Sequence, residues 1–328
     1  MKAPLGRTVN ARALRPVPCH IEGMTETEMA VFDRRLVRRR RERAAARLEQ
    51  HDFLFREVAE RLVDRLGDTK RRFSLALELG RRGPALGRLA LGKSGIERLV
   101  ALAPAHGLVR DADATAVVAD EEALPFADSS FDLILSSLAL HWVNDLPGAL
   151  IQACRALKPD GLFLAALFGG ETLRELRAAL LEAEIEVEGG AGPRVSPFAD
   201  VRDAGSLLQR AGLALPVVDR DAITVTYPDA LALMRDLRGM GETNAVAAQR
   251  RSFSRRATLL RAAAIYEERF AGPDGRVPAT FEVIYLTGWA PHGSQQKALK
   301  PGSAAARLAA ALDSEERPAG DKVPRGVR

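Results

Sequence analysis

The stretch FDLILSSLALHWVNDLPGALIQACRALKPDGLFLAALF, residues 131–168, decides the fold. Its first part, 131–140, is almost entirely apolar and predicts a buried strand, and residues 147–157 carry apolar side chains at helical spacing. The turn KPDG at 158–161 then leads into a second apolar strand at 162–168. Two buried strands joined by a helix run parallel, because the helix returns the chain to the starting edge of the sheet. The sequence therefore predicts an α/β protein with a mostly parallel sheet.

Composition restricts the class of protein and its compartment. Of the 328 residues, 47% are hydrophobic and 28% are charged, which is ordinary for a globular protein. No apolar run approaches the roughly 20 residues that a membrane-spanning helix requires. Cys19 and Cys154 are too few cysteines for a disulfide framework or a zinc cluster. A reducing, cytoplasmic compartment is therefore expected.

The first 23 residues are basic and poor in acids, and they lack the apolar core of a secretory signal. We expect a disordered extension or sequence upstream of the true start. A mitochondrial presequence, which would place the protein in the matrix, is the alternative. A helical cover is predicted over 24–72, and its first helix begins with a capping box of Thr25 and Glu28 and runs through Phe32.

An arginine-rich segment lies in this helical cover, with seven arginines between Arg34 and Arg43. A basic helix can bind nucleic acid or an anionic membrane surface, and a solvated helical face is the simpler interpretation. No aromatic side chains are interleaved to stack on bases, so we expect no nucleic-acid partner. Peripheral membrane contact is left as an alternative.

A glycine-containing turn follows the predicted first strand, 73–80. In nucleotide-binding sheets such a turn lets the backbone approach the ligand and directs helix N–H groups at it. Gly80 and Gly83 are present, but two bulky arginines, Arg81 and Arg82, stand between them. The next strand also ends in apolar residues where a cofactor site would have a carboxylate for the ribose. The turn therefore carries half of a cofactor-binding pattern.

Four motifs occur together in this chain: LHWVNDLP (140–147), FGGETL (168–173), VSPF (195–198) and GMGE (239–242). With the segments around them they resemble the complex I assembly factor 5 family, in the class I S-adenosylmethionine (SAM) methyltransferase superfamily. The resemblance covers about residues 31–289. It implies a Rossmann-like, seven-stranded, mostly parallel sheet with an antiparallel last strand, N-terminal helices and a helical cap insertion. It also implies a role in respiratory complex I assembly, with hydroxylation of an arginine on a quinone-proximal subunit, and SAM as the cofactor of the fold.

The resemblance assigns six residues to a SAM site: Glu78, Gly80, Gly83, Asp120, Glu121 and Ser137. Glu78 and Gly80 match the acid and the first glycine of the cofactor loop, whereas Gly83 is out of step. Asp120 and the backbone of Glu121 match the place that holds the adenine edge, and an ordinary turn or cap is the alternative for Asp120. The glycine loop departs from the pattern, and the carboxylate expected at the end of the second strand is missing. Weak SAM binding, or no SAM binding, is therefore an alternative.

Three residues are predicted to be catalytic: His141, Trp142 and Glu242. His141 and Trp142 follow the fourth strand, where this fold places residues that face the substrate, and His141 could act as a base near neutral pH. Glu242 lies in the predicted insertion and could pair with a cationic substrate such as an arginine side chain. The alternatives are a structural histidine, a tryptophan in the pocket wall and a helix-capping glutamate.

Metal chemistry is not predicted. A non-haem iron site needs two histidines and a carboxylate on one face, and the five histidines of this chain show no such spacing. If the chain hydroxylates arginine, the redox chemistry must come from a cofactor or partner.

The predicted organisation is a methyltransferase-type domain over 73–290 with a helical insertion at 228–271 and a disordered tail at 291–328. The Gly- and Pro-rich loop 189–198 is long enough to act as a lid, and Arg194 and Ser196 in it are possible substrate contacts. Three functions are compatible with this reading. They are an enzyme acting on a protein side chain in complex I assembly, a non-catalytic assembly chaperone, and a small-molecule methyltransferase of quinone or biotin pathways.

Overall fold

The computed structural model describes residues 30–110, 115–198, 201–249, 254–296 and 313–314. The chain divides into two compact units, Met1–His292 and Gly293–Arg328, and the fold below is that of the first unit. The predictions for the N-terminal segment 1–23, for the capping box at Thr25 and Glu28, and for most of the tail lie outside the described residues.

The described residues form one mixed sheet with helices on both faces. The strands are β1 (Leu75–Leu79), β2 (Arg98–Ala103), β3 (Thr115–Val118), β4 (Phe131–Ser137), β5 (Leu157–Phe168), β6 (Ala214–Tyr227) and β7 (Val277–Trp289). The helices are α1 (Arg34–Ala45), α2 (Phe53–Gly67), α3 (Ala85–Ala90), α4 (Leu146–Ala156), α5 (Arg174–Glu188), α6 (Val201–Arg210), α7 (Ala230–Met240) and α8 (Arg256–Phe270).

The sheet has seven strands in the order β3-β2-β1-β4-β5-β7-β6 among the residues described. β1 to β5 are parallel, and β7 is antiparallel to both of its neighbours, β5 and β6. This is a Rossmann-like methyltransferase sheet, and the predicted fold class is confirmed. The strand order reverses between β1 and β4, so ligands of this fold bind at their carboxyl ends.

The two faces of the sheet have separate apolar cores. Leu62 of α2, Leu176 of α5 and Ile265 of α8 pack on one face, and Leu150 of α4 and Leu208 of α6 pack on the other. β4 and β5 are buried along most of their length because helices cover both sides, which explains their continuous apolar sequence. Each fully buried leucine contributes roughly 1.5–3 kcal/mol.

The first helix begins later than the sequence predicts. α1 begins at Arg34, and the side chain of Asp33 caps it by accepting a hydrogen bond from the backbone N–H of Leu36. Phe32 is not helical, because it forms a β-bridge with Val246 and its N–H donates to the side chain of Asn144. The prediction that the helix runs through Phe32 is therefore wrong, since long-range pairing takes over these backbone groups.

The predicted turn KPDG also differs from the structure, because it lies within β5. Leu157 pairs with Phe131, and a register shift before Leu133 accommodates the extra residues. Asp160 in this segment has a φ of 60°, so a local turn-like conformation is kept inside the strand.

The predicted insertion supplies α7 and α8 between β6 and β7. Residues after α7 meet α1, since the N–H of Asp33 donates to the carbonyl of Ala245. The insertion and the N-terminal helix therefore come together. None of the described helices is long and apolar enough to cross a membrane.

Candidate functional site

Glu242 is the residue at which the predicted catalytic side chains meet. It follows α7, and Gly241 takes a left-handed conformation (φ 76°) at the end of that helix. Its Oε2 atom accepts a hydrogen bond from Nε1 of Trp142 at 2.6 Å and lies 3.0 Å from Nε2 of His141. Its Oε1 atom accepts from Nη2 of Arg82 at 2.5 Å. Residues about one hundred positions apart thus form one buried cluster.

Glu242 is ionised and His141 is neutral in this cluster. Burial opposes the charge on Glu242, but Arg82 and His141 hold its pKa at about 2. Burial lowers the pKa of His141 below its ordinary value despite the attraction of Glu242. An ionised carboxylate only accepts hydrogen bonds, so the neutral imidazole donates its Nε2 proton to Glu242. The Nδ1 atom is buried and has no hydrogen-bond partner among the described residues.

Glu242 also lines a cavity of about 310 Å³. The aromatic walls of this cavity are Trp142, Phe168, Phe198 and Phe281, and apolar side chains of α5 and α7 also line it. The ring centre of His141 lies 4.7 Å from that of Phe168, so the histidine packs against the aromatic wall. The volume is within the range of about 300–1,000 Å³ that is typical of small-ligand sites.

The loop predicted to act as a lid forms one side of the cavity. Arg194 of this loop donates to Glu184 of α5 at 2.8 Å and to the hydroxyl of Ser254 at 2.6 Å. The hydroxyl of Ser196 lies 3.3 Å from Oδ1 of Asn244. The loop is therefore fixed to α5 and to the segment after α7, and its role as a lid stays a prediction.

A second region lies at the carboxyl end of β1, where a methyltransferase holds its cofactor. Gly80 has a φ of 75°, and a Cβ atom placed on it would lie 2.4 Å from the Cβ atom of Ala139. Only glycine fits this turn. Glu78 accepts a hydrogen bond from Arg81 at 2.8 Å, and burial raises its pKa to about 7 although Arg81 opposes the shift. Glu78 thus lies near the end of β1, and Gly80 lies in the turn that follows it.

Arginines of α1 bind the acidic turn before β4. Arg34 donates to Asp120 at 2.5 Å and also to Glu121. Arg41 is fully buried, donates to Glu121 at 2.8 Å and reaches the carbonyl of Ala139 at 3.2 Å. The adenine-edge residues of the sequence prediction therefore bind guanidinium groups of this same chain.

We define the cofactor hollow by the side chains around its remaining space: Phe55, Glu78, Arg82, Gly83, Ala85, Leu86 and Ser137. That space is about 10 Å³, close to the volume of one water molecule. The hydroxyl of Ser137 and two nitrogens of Arg82 are buried there without partners among the described residues. The space left in this arrangement is too small for SAM, because Arg82 lies in the hollow and Arg41 binds Glu121 and the carbonyl of Ala139 close to the Gly80 turn.

Sequence reasoning missed the role of α1. A solvated face is the wrong description for Arg34 and Arg41, which are buried or nearly so. Val37 and Ala44 are the buried apolar residues of this helix, and the spacing 34, 37, 41, 44 places all four on one helical face. That spacing is the feature of the sequence that indicates that Arg34 and Arg41 face the protein interior. Among the described residues, no group of three or more His, Cys, Asp or Glu side chains is arranged to hold a metal ion.

Comparison with known proteins agrees with this architecture. A family model of methyltransferase domains matches residues 77–165, which contain β4 and all of the residues that define the cofactor hollow except Phe55. Among solved structures, the YcgJ protein of Bacillus subtilis is 15% identical with a TM-score of 0.50, covering 71% of this chain and all of its own. At that identity the likeness concerns the fold alone.

Sequence relatives cover most of the chain. A malonyl-[acyl-carrier protein] O-methyltransferase of Halorhodospira halophila is 39% identical, covering 81% of this chain and 91% of the relative. The mitochondrial arginine-hydroxylase NDUFAF5 of Danio rerio is 47% identical, covering 84% of this chain and 88% of the relative, and that of Homo sapiens is 46% identical, covering 84% and 81%. Since these relatives are 46–47% identical over 84% of this chain, the chain belongs to the NDUFAF5 arginine-hydroxylase family, on a methyltransferase fold.

Proposed function

We propose that this chain hydroxylates an arginine side chain of a client protein during assembly of respiratory complex I. The relatives named arginine-hydroxylase suggest the reaction, and the family resemblance suggests a quinone-proximal subunit as the client. The observation that carries the proposal is the place of Glu242, an ionised carboxylate in the wall of an aromatic cavity large enough for a side chain.

The chemistry of the cavity suits a guanidinium group. A carboxylate has about four acceptor positions, and Glu242 uses three of them for Arg82, His141 and Trp142. One position is left for a client N–H. Trp142 and Phe168 present aromatic rings on which a planar guanidinium stacks, and the leucines of α5 cover the methylene groups.

The residues of this chain bind and orient the client in this proposal. His141 and Trp142 are positioning residues, because they hold the carboxylate of Glu242 in the cavity wall. Hydroxylation inserts one oxygen atom into a C–H bond, a two-electron oxidation, so the oxygen atom and the oxidising equivalents must come from an oxidant that a cofactor or a partner supplies. The cavity walls keep the methylene groups of the client away from bulk water while that reaction occurs.

SAM is the cofactor that the methyltransferase fold implies, and methyl transfer to a protein or a small molecule would require it. As described, Arg41 and Arg82 leave no room for it, so we derive no step through SAM. The same observation favours a second candidate function, a non-catalytic chaperone in which the cavity holds the client arginine without changing it. Location follows the client: the matrix in mitochondria, or the cytoplasmic side in a bacterium.

Mass spectrometry of the client separates these functions. Complex I is isolated from a strain lacking this gene and from the same strain carrying the wild-type chain or Glu242→Gln. We expect one client arginine to gain the mass of one oxygen atom with the wild-type chain and much less with E242Q, compared at equal protein levels. Gain of a methyl group would support methyl transfer instead. If the client arginine is unmodified in the strain that carries the wild-type chain, although complex I is correctly assembled there, the result would support the chaperone function.

A further inference from the structure

An unpaired basic surface lies beside the mouth of the cavity. It consists of Arg39 and Arg43 on α1 and Arg238 on α7, all exposed. None of the three has an acidic partner within the part of the chain that the structure describes. Some exposed arginines elsewhere pair with acids, as Arg155 does with Asp128, and others, such as Arg98, have no acidic partner among the described residues. What distinguishes Arg39, Arg43 and Arg238 is that they gather around Arg40 beside the cavity.

Arg40 connects this basic surface to the cavity. Its Nη1 atom donates to the carbonyl of Thr243 at 2.7 Å and also to that of Asn244, and its side chain lines the cavity together with Arg238. Burial and the charges of Arg43, Arg39 and Arg238 lower the pKa of Arg40, although Asp33 opposes the shift, because these four guanidinium groups lie close together.

The arginines come from two elements that are distant in sequence. α1 and α7 are about 190 positions apart in sequence and pack against each other. The contact is close at the end of α7, where a Cβ atom placed on Gly241 would lie 3.4 Å from the backbone carbonyl oxygen of Arg40. Gathering like charges costs free energy, which an anionic partner offsets. If the arginines of α1 only kept a helical face in contact with water, no arginine would be needed on α7, which packs against it.

We propose that this surface binds acidic residues that flank the client arginine. The inserted arginine then occupies the cavity, and neighbouring Asp or Glu side chains of the client pair with Arg39, Arg43 and Arg238 at its mouth. This inference rests on the proposed function. It adds that the acidic residues on either side of the client arginine determine which arginine is bound. Opposite charge around an apolar cavity selects one arginine among the many that a client exposes.

The test compares two synthetic peptides of equal length, each with one central arginine. One has Asp and Glu around the arginine, and the other has Asn and Gln. Binding to the full chain is followed by fluorescence anisotropy at low and high salt. We expect about tenfold tighter binding of the acidic peptide at low salt, and a smaller ratio at high salt because ions screen exposed charges.

Two triple variants make the test specific. R39E/R43E/R238E should remove the preference for the acidic peptide. K70E/K93E/R98E changes the net charge by the same amount at exposed positions. These positions lie at or before the starts of β1 and β2, at the opposite end of the strands from the carboxyl ends. This variant should keep the preference for the acidic peptide. Circular dichroism establishes that both variants are folded.

The outcomes separate the two proposals. Equal affinity for both peptides overturns the acidic-flank inference and leaves the arginine site intact. Absence of binding for both peptides overturns the proposed function as well. Vesicles of neutral and anionic phospholipid serve as a further probe: vesicle binding that R39E/R43E/R238E abolishes, with no preference between peptides, would assign the surface to a membrane and overturn this inference.

Discussion

The cofactor hollow and the cavity are neighbours that share the Glu242 cluster, yet they differ in what fills them. In the hollow, the guanidinium group of Arg82 occupies space, and about 10 Å³ is left. The cavity has about 310 Å³ and aromatic walls. Arg82 lies in the hollow, and Trp142 lies in the cavity wall, while both bind the carboxylate of Glu242.

The difference shows that the sheet and the insertion contribute separately to a site in this fold. The sheet places a turn at Gly80 and acids at Asp120 and Glu121, as in a nucleoside site, but arginines neutralise those acids. The insertion adds Glu242 and the cavity on the client side. A methyltransferase fold therefore does not by itself specify methyl transfer.

The largest expected effect is on the carboxylate that the two regions share. Glu242→Ala leaves Arg82 without its ion-pair partner in the protein interior, so we expect a loss of about 3–5 kcal/mol in the free energy of unfolding. Urea denaturation at pH 7 measures it. Glu268→Ala, which removes an exposed ion pair with Arg261, is the control and should cost less than about 1 kcal/mol. Equal losses in the two variants would contradict a buried hub at Glu242.

A pH titration of stability tests whether the hollow is closed to water. Burial raises the pKa of Glu78 to about 7 from the ordinary value of 4.5. Because the pKa of Glu78 is higher in the folded state than in the unfolded chain, the protonated carboxyl stabilises the fold. This contribution to the free energy of unfolding is complete below pH 4.5, is lost as the pH rises to about 7, and corresponds to about 3 kcal/mol. Glu78→Gln should remove that loss, so its stability should fall less than that of the wild type between pH 5 and 7.

Glu97→Gln is the matched control, because Glu97 is exposed. It should leave the slope of stability against pH unchanged. If Glu78→Gln also leaves the slope unchanged, Glu78 is reached by water and the hollow opens in solution.

The sequence predicts the sheet well, because each central strand is a continuous apolar run. β4 and β5 are buried on both faces, so their composition alone identifies them. β3 is different: it has four residues, which are mostly exposed, and its apolar run at 116–118 is too short to identify a strand. Its place at the sheet edge follows from family resemblance and not from its residues.

The candidate site is only partly predictable from the sequence. Glu242, His141 and Trp142 are each candidates by position after a strand or helix, but their joining through one carboxylate depends on how the insertion folds back. Arg41 shows the opposite case, since a basic residue in a basic helix looks solvated. Only the side of α1 that carries Val37 and Ala44 shows that Arg41 faces the interior.

Blocking the cavity should reduce client binding without unfolding the protein. Val195 lies in the wall and is only partly buried, so Val195→Trp adds a ring inside the cavity at little structural cost. We expect about tenfold weaker binding of the arginine peptide, or about 1.4 kcal/mol. Val217→Trp on β6, where the side chain is 58% exposed, is the control and should bind as the wild type does. Unchanged binding in Val195→Trp would place the client elsewhere.

Enlarging the space beside the hollow should have the smallest effect, because Arg41 is removed while Arg82 stays in the hollow. Arg41→Ala frees the space beside Glu121 and Ala139 while Arg34 still neutralises the acids. Calorimetric titration with SAM should therefore show about fivefold tighter binding than in the wild type, or about 1 kcal/mol. Arg38→Ala, exposed on the same helix, should match the wild type. Weaker SAM binding in Arg41→Ala would mean that Arg41 holds the cofactor and does not exclude it, and the contrast between a filled hollow and an open cavity would then fail.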